Sequence, residues 1–81
     1  MYEIILPEKV RTQLKKLDKI TQKRVISVLE RIRIKPEHYV TKLIGDPAYK
    51  LRIGDYRIIL DIDKDKITII KVGHRKNIYD F

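Results

Sequence analysis

The segment 49–60 contains a two-residue turn that fixes how its two strands pair. Gly54 and Asp55 are the central residues, and glycine at the first of these positions is typical of a type II′ hairpin turn. This turn pairs Arg52 with Arg57, which places both side chains on one face of the hairpin. Like charges directly opposite one another destabilise a sheet. The arginine pair therefore indicates a surface that binds an anion.

The other face of the hairpin is apolar. The same register pairs Leu51 with Ile58 and Tyr49 with Leu60, so this face is expected to pack against a core. Lys50 alternates with these residues and joins the arginine face. One face of the hairpin thus packs, while the other attracts negative charge.

The first half of the chain has a helical pattern. Residues 2–6 predict a short strand, and Pro7 predicts a helix with proline in its first turn. The first apolar stripe at helical spacing is Val10, Leu14 and Leu17. After a corner at 18–21, the second stripe is Val25, Val28 or Leu29, and Ile32, thickened by Ile26. The second helix should end before Pro36, giving an antiparallel helical hairpin.

A third strand is predicted at residues 67–72, after a charged turn. If Ile62 opposes Ile67, then Arg57 opposes Val72. The chain then leaves the sheet at Gly73, which would deliver residues 74–81 to the arginine face. The same register places Lys71 on the core side, opposite Ile58.

These elements predict an α+β fold within a single domain, residues 1–81. An N-terminal strand and an antiparallel two-helix hairpin precede an antiparallel β-meander, with the helices packed on one face and the other face open.

The composition indicates a basic protein with a polyanionic partner. Lys and Arg number 19 against 11 Asp and Glu, which gives a formal charge of +8, and the pI is near 9.8. There is no cysteine, which excludes disulfides and thiolate metal sites. No apolar stretch approaches the roughly 20 residues of a membrane span, and a secretory signal is not recognisable. We therefore expect a cytoplasmic protein without a membrane contact.

The basic residues match what cleavage of RNA by its own 2′-OH requires: cations for the phosphorane-like charge, and a base and an acid for the protons. Arg52, Arg57 and Arg75 would supply planar donors to phosphate oxygens, and Lys50 a mobile charge. Tyr79 would carry a proton, provided that nearby cations favour its phenolate.

Two other motifs are weaker. His74 is an alternative acid or base, because its ordinary pKa lies nearest neutrality. Residues 61–66 imitate the start of a calcium loop, but Lys66 stands where the loop requires glycine. We therefore expect neither a metal nor another cofactor.

Three runs, residues 41–45, 49–57 and 72–79, together resemble the RelE/ParE toxin superfamily, and specifically its RelE-type branch. The resemblance implies the toxin of a type II toxin–antitoxin system. Such a toxin is a metal-independent endoribonuclease that cuts messenger RNA in the ribosomal A site and leaves a 2′,3′-cyclic phosphate.

The resemblance also implies roles for individual residues. Arg57, Arg75 and Tyr79 match the catalytic positions, with Tyr79 as base and Arg75 as acid or phosphate anchor. Because a guanidinium group keeps its proton in proteins, we assign Arg75 to charge stabilisation. Lys50 and Arg52 match the positions that bind RNA. The implied partners are the ribosome, messenger RNA and an acidic RelB-like antitoxin, which would form a hetero-oligomer with the toxin.

Two alternative functions belong to other classes. A ParE-like inhibitor would bind DNA gyrase and catalyse nothing itself. A plain nucleic-acid-binding module would use its open sheet face, but that face lacks the paired aromatic residues on which bases stack.

Overall fold

The computed structural model describes residues 1–76. In chain order its elements are β1 (Glu3–Ile5), α1 (Glu8–Lys15), α2 (Lys19–Ile32), a short 3-10 helix (Pro36–His38), β2 (Thr41–Lys42), β3 (Tyr49–Ile53), β4 (Tyr56–Asp63) and β5 (Lys66–His74). The five strands form one sheet in the order β1-β5-β4-β3-β2. The predicted α+β fold is confirmed. The structure adds β2 at one edge and a parallel pairing of β1 with β5 at the other.

The second helix begins inside the predicted corner. The Asp18 carboxylate accepts hydrogen bonds from the Thr21 backbone N–H at 3.0 Å and from the Thr21 hydroxyl at 2.6 Å, so Asp18 caps a helix that starts at Lys19. These two bonds, the hydroxyl first, lower the pKa of Asp18. At the first helix, Pro7 occupies the cap position and precedes the first turn.

The core lies between the helices and one face of the sheet. The largest fully buried side chains are Ile32, Ile58, Leu60, Ile67, Ile69, Val10 and Val25. The predicted stripe of α2 is buried at Val25, Leu29 and Ile32, but Ile26 is 47% exposed, so its assignment to the core was wrong. Position 26 lies about 100° around the helix axis from position 25, on the flank of the buried stripe.

The pairing of β3 with β4 is the predicted one. Arg52 opposes Arg57, and Leu51 opposes Ile58. Gly54 has φ +58° and is the only central residue of this turn with positive φ, as a type II′ turn requires.

The pairing of β4 with β5 begins as predicted and then shifts. Ile62 opposes Ile67, but a bulge interrupts the ladder between Ile59 and Leu60. Leu60 opposes Ile69 and Ile59 opposes Lys71, which leaves the intervening residue of β5 without a partner.

The bulge corrects two expectations. Arg57 opposes Gly73 instead of Val72, and Lys71 lies on the arginine face instead of the core side. Val72 takes the core position opposite Ile58. One extra residue reverses the alternation of side chains, so an apolar side chain fills the core where an unbroken ladder would have placed a lysine.

The arginine face is less open than predicted. Ala48 and Ile59 are buried there with Leu43 packed against them, which forms a small second cluster. The segment between β2 and β3 therefore covers part of this face. No helix among residues 1–76 is long and apolar enough to span a bilayer.

Replacing Ile32 with alanine should lower the free energy of unfolding by about 3 kcal/mol, because Ile32 is fully buried and its removal leaves a cavity. Ile26→Ala removes the same atoms from a half-exposed position and should cost less than about 1 kcal/mol. Urea denaturation of both variants measures the difference. Equal losses would contradict the assignment of Ile26 to the helix flank.

Candidate functional site

The arginine pair lies on the face of the sheet that points away from the helices. Arg57 is only 9% exposed, whereas Arg52 is exposed. One guanidinium nitrogen of Arg57 donates to the backbone carbonyls of Gly54 at 3.3 Å and Tyr56 at 3.2 Å. Arg52 Nε donates to the same Gly54 carbonyl at 3.4 Å. The arginines are thus held at the turn by carbonyls, which are neutral.

Neither arginine has an acidic partner within residues 1–76. The ion pair found in that part of the chain joins Arg33 to Glu30, at 3.4 Å on the surface of α2. Because no carboxylate among residues 1–76 neutralises them, Arg52 and Arg57 place two positive charges close together on one face of the sheet. This arrangement favours binding of an anion that accepts hydrogen bonds from planar donors.

A cleft of about 320 Å³ opens above this pair. Its lining residues are Tyr39, Thr41, Lys50, Arg52 and Arg57. Three of the five are cations and none is acidic, while the other two carry hydroxyls. Hydroxyl and cationic donors together suit the oxygens of a phosphate group.

Sequence reasoning missed Tyr39 and Thr41. They lie in a segment without apolar periodicity, and only tertiary structure brings them to the cleft. Tyr39 follows the 3-10 helix and its N–H donates to the Pro36 carbonyl at 3.0 Å. Thr41 begins β2, where it opposes Lys50 of β3. The one available signal was Pro36, which predicts a turn but no cleft.

The structure brings together Lys50, Arg52 and Arg57 but does not place Arg75 among the side chains that line the cleft. Arg75 follows β5, with an exposed side chain, and its backbone N–H donates to the Asp55 carbonyl at 2.8 Å. The end of β5 is thereby tied to the hairpin turn. Tyr79 lies outside the described residues.

His74 lies on the opposite face from Arg57. It opposes Tyr56, whose other neighbour is the buried Ile53, and the rings of His74 and Tyr56 meet edge to face with centroids 5.5 Å apart. His74 Nδ1 accepts a hydrogen bond from the Lys76 N–H at 3.2 Å. The sheet separates this imidazole from the cleft.

The segment that imitates a calcium loop is part of a hairpin. Asp63 ends β4 and opposes Lys66, the first residue of β5. Within residues 1–76, no three His, Asp or Glu side chains lie together as a metal site requires.

Replacing Arg52 with glutamine should raise the free energy of unfolding by a few tenths of a kcal/mol at low salt, because it removes repulsion between directly opposed arginines. Salt screens exposed charges, so the gain should fade in about 0.5 M sodium chloride. Urea denaturation at both salt concentrations measures it. A loss of stability at low salt would contradict the claim that the pair is mutually repulsive.

A family model described as the ParE toxin of type II toxin–antitoxin system, parDE, matches residues 4–79. Toxin RelE3 of Methanocaldococcus jannaschii is 46% identical over 33 residues, which is 41% of this chain and 38% of that protein. The match thus spans well under half of the length of that relative.

Solved structures share the fold over nearly the whole chain. The RelB-RelE antitoxin–toxin complex from Methanococcus jannaschii gives a TM-score of 0.78 at 25% identity and covers 95% of this chain and 96% of that one. The toxin–antitoxin complex RelBE2 from Mycobacterium tuberculosis gives a TM-score of 0.83 at 23% identity, and the match covers 91% of this chain and 98% of that one. The isolated E. coli RelE toxin gives a TM-score of 0.78 at 23% identity, and the match covers 91% of this chain and 84% of that one.

Proposed function

This chain belongs to the ParE toxin family of type II toxin–antitoxin systems, and from its similarity to RelE toxins within that superfamily we propose that it is a ribosome-dependent endoribonuclease that cleaves messenger RNA in the A site. The match to Toxin RelE3 and the structural likeness to RelE confirm the predicted RelE-type resemblance. The observation that carries the proposal is the cleft above Arg52 and Arg57. Its lining holds two guanidinium groups that have no acidic partner among residues 1–76, and their partners are neutral backbone carbonyls.

In the proposed reaction, the 2′-oxygen of a ribose loses its proton to a base and bonds to the adjacent phosphorus. The bond from phosphorus to the 5′-oxygen then breaks, and an acid protonates that oxygen. The products are a 2′,3′-cyclic phosphate and a free 5′-hydroxyl. Arg57 and Arg52 would donate to the non-bridging oxygens as negative charge develops on them, and Lys50 would hold the neighbouring phosphate. These steps use cations of the protein, and we propose that they require no metal or other cofactor.

We assign the base to Tyr79 and the stabilisation of the leaving group to Arg75. His74 is the weaker candidate for the base, since the sheet lies between its ring and Arg57. The backbone hydrogen bond from the Arg75 N–H to the Asp55 carbonyl holds the end of β5 next to the hairpin turn. Nearby cations would favour the phenolate of a tyrosine.

The partner is proposed from the solved relatives and from charge. Two of the three solved relatives described above are toxin–antitoxin complexes, RelB-RelE and RelBE2, and a chain with a formal charge of +8 suits an acidic antitoxin. We propose a hetero-oligomer of toxin and antitoxin in the cytoplasm. In this complex the antitoxin would hold the toxin inactive.

Arg57→Ala, Arg75→Ala and Tyr79→Phe should each abolish growth arrest and reduce cleavage at least 100-fold, because each removes a group that acts on the transition state. Primer extension on translated messages after induction measures cleavage. Lys9→Ala, on the exposed face of α1, is the matched control and should arrest growth normally. Thermal melting establishes that each variant folds.

Two results would contradict the nuclease. Growth arrest that persists in all three variants would remove these residues from the mechanism. A DNA damage response without cleaved message would instead indicate a ParE-like inhibitor of gyrase.

Two substitutions of Tyr39 distinguish a stacking role from a proton-transfer role for this residue of the cleft. Its ring is 43% exposed at the edge of the cleft, so we expect it to stack on a base of the bound RNA. Tyr39→Phe should then cleave within about threefold of wild type, and Tyr39→Ala should lose about tenfold, as the removal of a stacking contact of 1–3 kcal/mol implies. Equal, large losses in both variants would instead assign the Tyr39 hydroxyl a chemical role.

A further inference from the structure

A second cleft, which we call the α2 groove, lies between α2 and the hairpin turn and has a volume of about 440 Å³. Its charged lining residues are Lys23, Arg24, Arg31 and Arg52. Half of its eight lining residues are cations, and none of the lining residues within 1–76 is acidic.

The cations reach the α2 groove from two elements. Lys23, Ser27 and Arg31 recur every four residues, which places them in one row along the helix. Arg24 bridges from this helix to the turn, since a Cβ at Gly54 would lie 3.4 Å from its guanidinium nitrogen Nη1. The groove is thus bounded by helical cations on one side and by the hairpin turn on the other.

Arg52 lines both the α2 groove and the cleft that holds Arg57. The two cavities therefore share one arginine. A single strand of nucleic acid carries a phosphate on every nucleotide, and an array of cations can follow it without reading its bases.

We infer that the α2 groove binds the sugar–phosphate backbone of the RNA strand whose scissile phosphate lies in the cleft. This inference rests on the proposed function and extends it: the cleft holds the reacting phosphate, and the α2 groove holds neighbouring phosphates. Binding to both cavities would define the path of the strand through the site, because Arg52 is common to their linings.

The lining of the α2 groove favours RNA over an acidic peptide. Interfaces with proteins have apolar centres, and this groove offers only Val28 and Ile53. A separate groove between β1 and α2 has a more apolar lining, which includes Ile4, Leu6 and Ile26. A protein partner would find apolar contacts in that separate groove, whereas the α2 groove suits a highly charged ligand.

The test is binding of a fluorescent, single-stranded 2′-O-methyl RNA to the full-length chain. The modified ribose cannot attack its phosphate, so binding is measured without cleavage. The variant Lys23→Gln/Arg31→Gln removes two exposed cations of the α2 groove. The control Lys9→Gln/Lys16→Gln removes two exposed cations of the α1 region and lowers the net charge equally. Fluorescence anisotropy over a range of salt concentrations gives the affinity and its salt dependence.

Loss of two phosphate contacts should make the plot of the logarithm of the association constant against the logarithm of the salt concentration less steep by about 1.4. Binding should weaken about 25-fold at about 0.1 M salt. The control should change the affinity less than about threefold, as expected for long-range charge alone. Equal losses in the two variants would overturn the inference, since only net charge would then matter. Tighter binding of an oligoglutamate peptide of equal charge, lost in the groove variant, would also overturn it.

Different results would contradict the nuclease proposal and the proposal for the α2 groove. If wild type cleaves no message, the nuclease is wrong, but binding of the uncleavable RNA still tests the α2 groove. If the groove variant binds this RNA like wild type while Arg57→Ala abolishes cleavage, the nuclease stands and the groove is wrong.

Discussion

The two-residue turn at Gly54 and Asp55 determines which face of the sheet each residue of β3 and β4 occupies. With positive φ at Gly54 alone, the turn closes the hairpin so that Arg52 opposes Arg57 and Leu51 opposes Ile58. A shift of one residue in either strand would move its apolar side chains to the arginine face and its charges into the core. The burial of the core and the exposure of the cationic cleft therefore depend on one local constraint.

Because of the bulge in β5, Val72 faces the core and Lys71 faces the arginine side of the sheet. An unbroken ladder from Ile62 and Ile67 would point Lys71 into the core, where burial of an ammonium group is costly. The extra residue restores the pattern, and α1 supports it: the Val72 N–H, just beyond the bulge, donates to the Gln13 side chain at 2.9 Å. The helix thus provides a partner for a backbone group beside an irregular ladder.

The cationic surface departs from the arrangement that stability alone would favour, as we expect for the RNA-binding site that we propose. Arg57 is nearly buried without a carboxylate among the described residues, and its closest partners are two carbonyls of the adjacent turn. An anion that binds this pair supplies the missing counter-charge, and binding to the folded state alone stabilises it. The same surface continues through Arg52 to α2, so the sheet and a helix contribute to one field of positive charge.

The sequence by itself determined the features that depend on neighbouring residues: the hairpin register, the apolar faces of the helices, the end of α2 before Pro36, and the juxtaposition of Lys50, Arg52 and Arg57. Local spacing decides these because turn type and side-chain periodicity act over a few residues. The tertiary structure alone decided the rest. The bulge exchanges Val72 and Lys71 between faces, β2 and the 3-10 helix carry Thr41 and Tyr39 to the cleft, and α2 brings Arg24 against Gly54. Each of these depends on packing between segments that are distant in sequence, which no local pattern encodes.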